Sequence, residues 1–391
     1  MCRITDNGYI SQFIPEDLKY LSNDKKITYN GILLKTDYII NICHELILKY
    51  YYTDEVKHDL WSKILRNKYG RNYKTYLDFL IEKKFLSLVS NYYVGKKCKT
   101  FKINLDFLEK VARVKIHDSI LLNKYKKEYL SRLFTEENNS PINPTLRKIL
   151  IDDLYHVELD IDASNNWLEN EKSNLTLHQF FKNHSLIGGI DEGLLFYKFD
   201  SFGRLHTNFT TLKKYVRKNY LKIDGKELME LDIKNSQPLL LAVLLKKEFD
   251  EKNFNEEIKK YIEIVKSGLI YDDLFEKYPE YIQSRDAAKK FVYTVLFGKN
   301  YYKIIENKIF QKEYPTVYDY IKTLKNLNGY KYISHQLQLL ESNFIFDKVV
   351  TEIKNKFPHI RLFTVHDSII FPVEYKEEVS LIFNNHLKKL L

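Results

Sequence analysis

Three short stretches hold residues whose types and spacing could do chemistry. The first is Glu230-Leu-Asp232-Ile-Lys-Asn-Ser236-Gln237-Pro238, followed by an apolar run to Leu245. Leu228–Ile233 reads as a buried strand, and Pro238 suits the first turn of a helix, where its missing N–H costs nothing. Asp232 then stands where a strand hands over to a helix, a common place for binding residues. A carboxylate there could hold Mg²⁺, with the backbone carbonyl of Ile233 as a second ligand. A capping or surface-turn Asp is the competing explanation. The second stretch runs from Ser284, a fair N-cap, to Gly298, a fair C-terminal stop. Between them Arg285, Lys289, Tyr293 and Phe297 recur every fourth residue. Each step turns a helix by about 400°, so the four form one stripe, cationic at one end and aromatic at the other. A nucleoside triphosphate has the same polarity: cations suit its phosphates and aromatics its base. An amphipathic helix with two core aromatics and two solvated cations gives the same pattern. The third stretch, Ile360 to Phe371, holds Val365-His366-Asp367-Ser368 between two β-like runs. It reads as a hairpin with His366 and Asp367 at its tip. A buried Asp there needs a partner, and a divalent metal shared with Asp232 would be one. An exposed turn Asp would need none.

The elements that must position these groups form an α+β pattern. Leu194–Phe199 and Arg204–Phe209 are β-like and flank Asp200-Ser-Phe-Gly203, and from there the three stretches follow in order. Upstream, Asp37–Tyr51, Lys57–Lys68 and Tyr73–Lys84 read as helices. Phe85–Tyr93 and Thr100–Ile103 read as strands around a basic turn, Val94-Gly95-Lys96-Lys97-Cys98-Lys99. Three helices and a basic wing resemble a winged helix, which would touch DNA or RNA; a small packing or protein-binding module is the other reading. Residues 1–36 give no clear assignment. Residues 105–185 look mostly helical, broken at Asn138-Asn139-Ser140-Pro141. Glu158, Asp160 and Asp162 alternate, so a strand would put them on one metal-binding face, whereas a loop would leave them solvated. The expected division is a winged-helix-like domain over 1–110, a helical linker or thumb-like region over 111–193, and a catalytic domain over 194–391.

Composition narrows the partners. A formal net charge of +10 and a pI of about 9.0 favour a polyanion, although biased codon usage would also raise the Lys count. Cys2, Cys43 and Cys98 have no paired spacing, which excludes a disulfide framework or zinc module and fits a reducing compartment. No apolar leader or membrane-length run is visible, so no membrane role is expected and a cytoplasmic location, in a bacterial or phage-infected cell, is.

In their order, the three stretches resemble the palm and fingers of family A DNA polymerases, the DNA polymerase I type, and their single-subunit RNA polymerase relatives. Motif A of that family is a strand ending in Asp, matched by Asp232. Motif B is Arg-x₃-Lys-x₃-aromatic-x₃-Tyr-Gly, matched by Arg285, Lys289, Tyr293, Phe297 and Gly298. Motif C is Val-His-Asp, matched by Val365, His366 and Asp367. Gly203-Arg204-Leu-His-Thr is similar to the family's Arg-bearing segment that reads the duplex minor groove. His335-Gln336 followed by Glu341 resembles its Gln-containing helix before motif C. The resemblance covers roughly residues 195–391, with a short interval between motifs B and C that implies trimmed fingers.

The resemblance implies a right-hand palm built on an antiparallel sheet, with reduced helical fingers. It implies two Mg²⁺ ions, or Mn²⁺, held by Asp232, the Ile233 carbonyl and Asp367. Lys289 would neutralise the α-phosphate and Arg285 hold the γ-phosphate. Tyr293 and Phe297 would stack on sugar and base, and His366 would meet the primer terminus. Arg204 and Gln336 would read the minor groove of a primer–template duplex. Two departures concern the sugar: Gln237 stands where the DNA polymerases place a Glu that excludes ribose, and Phe297 stands where they place Tyr. Tyr293 is the DNA-polymerase choice, whereas Asp232-x₃-Ser236 and His-Asp-Ser occur in the RNA polymerases. DNA synthesis from dNTPs, without proofreading, is the first expectation, and RNA synthesis or priming from NTPs the second. On this reading the N-terminal region would recruit a replication partner. A non-catalytic DNA-binding replication initiator with a degenerate palm is the alternative from another class.

Overall fold

The computed structural model describes residues 8–91, 93, 98–136, 140–193, 195–249, 254–299 and 304–390. The fold is α+β, 60% helix with small antiparallel sheets. Among the described residues no helix is long and apolar enough to cross a membrane. The chain divides into two compact units, one of residues 1–135, 159–196 and 211–220, the other of 136–158, 197–210 and 221–391.

The first unit contains helix α1 (Thr36–Thr53), strand β1 (Lys57–Leu60), helices α2 (Ser62–Tyr69) and α3 (Tyr73–Glu82), and strands β2 (Leu86–Ser90) and β3 (Lys99–Ile103). The last strand lies between the other two, antiparallel to both. The helix expected over Lys57–Lys68 is therefore a strand followed by a shorter helix. His58 turns inward at 1% exposure while Lys57 and Asp59 turn outward, a period of two. Asp59 also accepts a hydrogen bond from the Thr100 hydroxyl at 2.6 Å. Of the basic turn read between β2 and β3, residues 94–97 lie outside the described residues. So do Asn138 and Asn139 of the helical break, Cys2, and Leu194 at the expected domain boundary. The undecided N-terminal stretch supplies Ile10–Pro15, paired antiparallel along its whole length with Val111–Ile116. That pairing puts a strand inside the region read as helical. The helices Ser119–Glu136, Pro144–Leu154, Ile161–Asn170 and Leu177–Asp191 account for most of the rest. Asp160 caps the third of them, accepting from the Ala163 N–H at 3.0 Å. Glu158 thus lies in a short strand, Val157–Leu159, while Asp160 and Asp162 start the helix after it, so the three do not share one strand face.

The second unit is built on a three-stranded sheet of β4 (Leu228–Asp232), β5 (Phe363–Val365) and β6 (Ser368–Pro372), with β6 central. All five residues of β6 are buried, whereas β4 is an edge strand, half-buried along its length and exposed at Asp232. The buried strand expected there is thus only half covered. Helix α4 (Ser236–Glu248) follows β4 and buries Ser236 through Val243. Helix α5 (Ile270–Lys277) precedes α6 (Arg285–Phe297). Ser284 caps α6 through the Ala287 N–H at 3.1 Å, and Gly298 closes it where a Cβ would lie 2.5 Å from the Thr294 carbonyl oxygen. Buried Lys325 donates to the carbonyls of Val295 (2.6 Å) and Gly298 (2.8 Å), placing a cation on the negative end of α6. Helix α7 (Tyr332–Ser342) runs on through a π-helical stretch, Asn343–Val350, into Thr351–Lys356.

One buried ion pair fixes where the β5–β6 hairpin begins. Lys354 Nζ lies 2.5 Å from Asp153 Oδ2, their side chains 4% and 6% exposed. Lys354 also donates to the Ile360 carbonyl (2.6 Å), and Asp153 accepts the Leu362 N–H (3.1 Å). Burial pushes the Asp153 carboxyl up, against the pull of Lys354. Removing one partner strands a buried charge, which costs about 3–5 kcal/mol. Lys354→Met is expected to lower the urea unfolding free energy by that order. Asp153→Leu combined with Lys354→Met is expected to recover part of the loss. Equal losses in the single and double variants would show that the pair is not the anchor.

Candidate catalytic site

Sheet register brings the two aspartates together. Asp232, the last residue of β4, pairs with Ser368, and Ser368 pairs on its other side with Val365. A two-residue loop, His366-Asp367, therefore turns β5 into β6 beside the end of β4. His366 has φ 54°, while Asp367 stays out of the left-handed region. Positive φ at the first loop residue is the pattern of a type II′ turn, where glycine is usual and a side chain costs on the order of 1 kcal/mol. Asn235, between Asp232 and Ser236, is left-handed as well (φ 50°). Backbone strain of this kind collects at functional sites.

Asp232 is exposed and Asp367 half-buried. Burial pushes the Asp367 carboxyl above the usual carboxylate range. The negative charge of Asp232 adds to that rise, while a hydrogen bond from Ser236 and the charge of Lys289 oppose it. The site is thus a pair of carboxylates short of positive charge. Among the described residues no group of three or more His, Cys, Asp or Glu is arranged to hold a metal. Two carboxylates are nonetheless what Mg²⁺ commonly takes from a protein, with water and phosphate oxygens completing its octahedron. The Ile233 side chain is buried.

Helix α6 presents its four-residue stripe on the less buried side. Arg285 and Lys289 are exposed and Tyr293 and Phe297 half-buried, while Ala288, Phe291, Val292, Val295 and Leu296 form the core face. Tyr293 and Phe297 are in contact, with ring centroids 5.3 Å apart, and Lys289 Nζ lies 5.5 Å from the Tyr293 ring. Arg285 reaches Asp272 at 3.2 Å and stands over Tyr271 at 5.5 Å, so α5 orients it. Burial, with Asp367 and Glu341 next, raises the Tyr293 phenol. The stripe thus lies within electrostatic reach of the carboxylates.

Below the carboxylates sits Glu341, 1% exposed on α7. Its Oε1 accepts from Arg204 through Nε (2.9 Å) and Nη2 (2.6 Å). Its Oε2 accepts from Gln237 Nε2 (2.6 Å) and lies 3.4 Å from Ser236 Oγ. Burial, against the pull of Arg204 and reinforced by Asp367, pushes Glu341 up to about 7. Gln237 is accordingly 6% exposed, and its Oε1 has no partner among the described residues. Arg204 is held as an ion pair, and Gln336 is half-buried on α7 beside His335, which stacks on Phe202 (4.6 Å). Tyr197–Phe199 and Leu205–Thr207 pair as a hairpin. Its His206 bonds Asp200 at 2.9 Å and lies 6.2 Å, ring to ring, from His366. Burial opposes ionisation of Asp200, but His206 and the N–H groups of Arg204 and Phe202 hold it below the usual carboxylate range.

Asp232, Asp367, Lys289 and Tyr293 therefore form one neighbourhood, with Arg285 and Phe297 at the two ends of the stripe and Arg204 and Gln237 joined beneath it. Spacing gives no hint of Tyr271, Asp272 or His206. Glu341 is visible in the sequence only as a residue near Gln336, and nothing local signals that it is buried.

Glu341 supplies a pH test. Its folded value lies above the ordinary 4.5. The group costs no stability at pH below 4.5, and the cost grows as pH rises to about 7, where it reaches about 3 kcal/mol. Glu341→Gln is expected to remove this component, so its unfolding free energy should fall less than the parent's between those pH values. Parallel curves in denaturant titrations would exclude a raised Glu341. Comparison of the chain with protein-family models and with curated proteins returns no match.

Proposed function

We propose that the second unit is a metal-dependent, template-directed nucleotidyltransferase, with a palm and reduced fingers of the family A polymerase kind. The observation that carries this is the register that joins Asp232 to the Asp367 hairpin, with the Arg285–Phe297 stripe within reach of both. A carboxylate pair, a cationic–aromatic helix and a hairpin His-Asp are the parts that phosphoryl transfer to a nucleotide needs: charge neutralisation, phosphate binding and base positioning.

On this reading Asp232 and Asp367 hold two Mg²⁺ ions, for which Mn²⁺ can substitute, with the Ile233 carbonyl as a further ligand. Bound there, the ions supply Lewis acidity toward a primer 3′-hydroxyl and neutralise the triphosphate. Ser236 steadies Asp367 by donating its hydroxyl proton. Lys289 and Arg285 bind phosphate oxygens, and Arg285 leaves Asp272 to do so. Lys289 is the side chain placed to give a proton to departing pyrophosphate. Tyr293 and Phe297 offer faces to the base, and His366 meets the primer end. Arg204 and Gln336 read the duplex minor groove, whose acceptors are alike for every correct pair, and Arg204 leaves Glu341 to do so. Within the first unit, residues 36–103 run helix–strand–helix–helix–strand–strand, with the last strand in the middle of the sheet. This supports contact with nucleic acid or recruitment of a replication partner.

The product is DNA on the first reading, with RNA synthesis or priming second. Gln237 favours the second reading more than a carboxylate would, because a carboxylate packed at that place would exclude ribose. Primer extension with Mg²⁺ tests the proposal. Asp232→Asn and Asp367→Asn are each expected to lower extension on the order of 10³-fold, while urea stability stays near that of the parent. Extension that persists in both variants would favour a nucleic-acid-binding protein without catalysis. dNTPs are expected to be used better than rNTPs on the same template, and a strong rNTP preference would reverse the product assignment.

A further inference from the structure

The first unit has an exposed surface that the polymerisation chemistry does not use. Trp61, which leads into α2, is 60% exposed and Ile64 is 61% exposed. α2 buries only Leu65 and Tyr69, so Lys63, Ile64, Arg66 and Asn67 are all exposed, and Arg66 and Asn67 lie one turn on from Lys63 and Ile64. From Leu60 to Leu77 the chain carries Lys63, Arg66, Lys68, Arg71 and Lys74 and no carboxylate. Glu45 pairs with Lys68; the other four cations are exposed and form no ion pair among the described residues. α3, by contrast, turns Lys74, Asp78 and Glu82 outward, and Glu82 is bonded to the Tyr29 hydroxyl at 2.8 Å. Two carboxylates on that face would repel the phosphates of a duplex groove.

We infer that Trp61 and the outward face of α2 form a docking surface for single-stranded nucleic acid. An unpaired base stacks on the exposed indole while Lys63, Arg66 and Arg71 follow the phosphates, the combination of aromatic platform and cationic track that single strands require. Duplex would not use the indole, because its base faces are already stacked. A protein partner would need carboxylates opposite these four cations, and a polyphosphate backbone supplies that charge at every step. The surface lies wholly in the first unit, so the inference goes beyond the nucleotidyltransferase reading and uses none of its residues.

The chain has two tryptophans, Trp61 and Trp167. In the full chain carrying Trp167→Phe, Trp61 is the only indole, and titration with an oligo(dT) of about 16 nucleotides is expected to quench its fluorescence. Trp61→Ala, followed by fluorescence anisotropy of the labelled oligomer, is expected to weaken binding about tenfold. Lys63→Ala with Arg66→Ala is expected to lower the slope of log affinity against log salt by about 1.4, two single-strand phosphate contacts. Absence of quenching, unchanged binding by Trp61→Ala, or equal quenching by a duplex of the same length would overturn the proposal. Quenching by an oligoglutamate peptide in place of the oligomer would instead mark a protein-docking face and overturn it too. The quenching reports contact at Trp61 itself and needs no primer, nucleotide or metal, so the titration is decided independently of primer extension.

Discussion

The second unit depends on a register that sets one carboxylate, exposed Asp232, beside another, half-buried Asp367. Asp232 ends an edge strand and Asp367 sits in a two-residue loop, and their approach is fixed by the pairing of Asp232 with Ser368. A slip of one residue would send every β4 side chain to the opposite face and carry Asp232 away from the loop. The sheet resists such a slip because β6, its central strand, is buried at all five positions. The Asp153–Lys354 pair fixes the entry to the hairpin through the Ile360 carbonyl and the Leu362 N–H. The strained residues His366 and Asn235 lie at the two chain reversals nearest the carboxylates. Core packing thus holds a half-buried carboxylate and two residues of positive φ together at the end of the sheet.

Glu341 is the second constraint. One buried carboxylate is shared by Arg204 and Gln237, with Ser236 close by. These groups come from a hairpin, the start of α4 and the end of α7, so a single side chain ties three segments together under the aspartates. The link is sensitive to its own protonation, because burial opposes the charge that Arg204 favours. The helix widens into π-helix directly after Ser342, and such widening often accompanies functional sites because it re-aims side chains without ending the helix. Gln237 is drawn inward by this network, its amide nitrogen donating to Glu341.

Local pattern made part of this architecture legible. The four-residue recurrence of α6 with Ser284 and Gly298 at its ends, the hand-over after Asp232, and the β-like runs around His366-Asp367 are all short-range signals, and each corresponds to an element with nearly those bounds. Long-range pairing was not legible. Ile10–Pro15 meets Val111–Ile116 across about a hundred residues, and neither segment alternates cleanly enough to stand out. Lys57–Leu60 carries three charged or polar residues and looked like the start of a helix until β3 supplied its partner. The burial of Glu341 is likewise a tertiary fact: a glutamate in a helix is ordinarily solvated, and only the convergence of Arg204 and Gln237 makes its interior position tolerable.

Charge shows the same difference between a total and its placement. A net charge of +10 spread over 391 residues fits both a polyanion partner and a codon bias. Its distribution is more informative. Cations that serve packing or structure are engaged: Lys325 at the end of α6, Lys354 with Asp153, Arg204 with Glu341. Codon bias would scatter the remaining cations among acids over the surface. The stretch around α2 departs from that, with four exposed cations that form no ion pair among the described residues, no carboxylate between Leu60 and Leu77, and an indole left in water. Exposing Trp61 and Ile64 forgoes burial worth roughly 2 kcal/mol for each such side chain. Apolar exposure and unpaired positive charge coincide there, and a ligand with flat faces and phosphates relieves both at once.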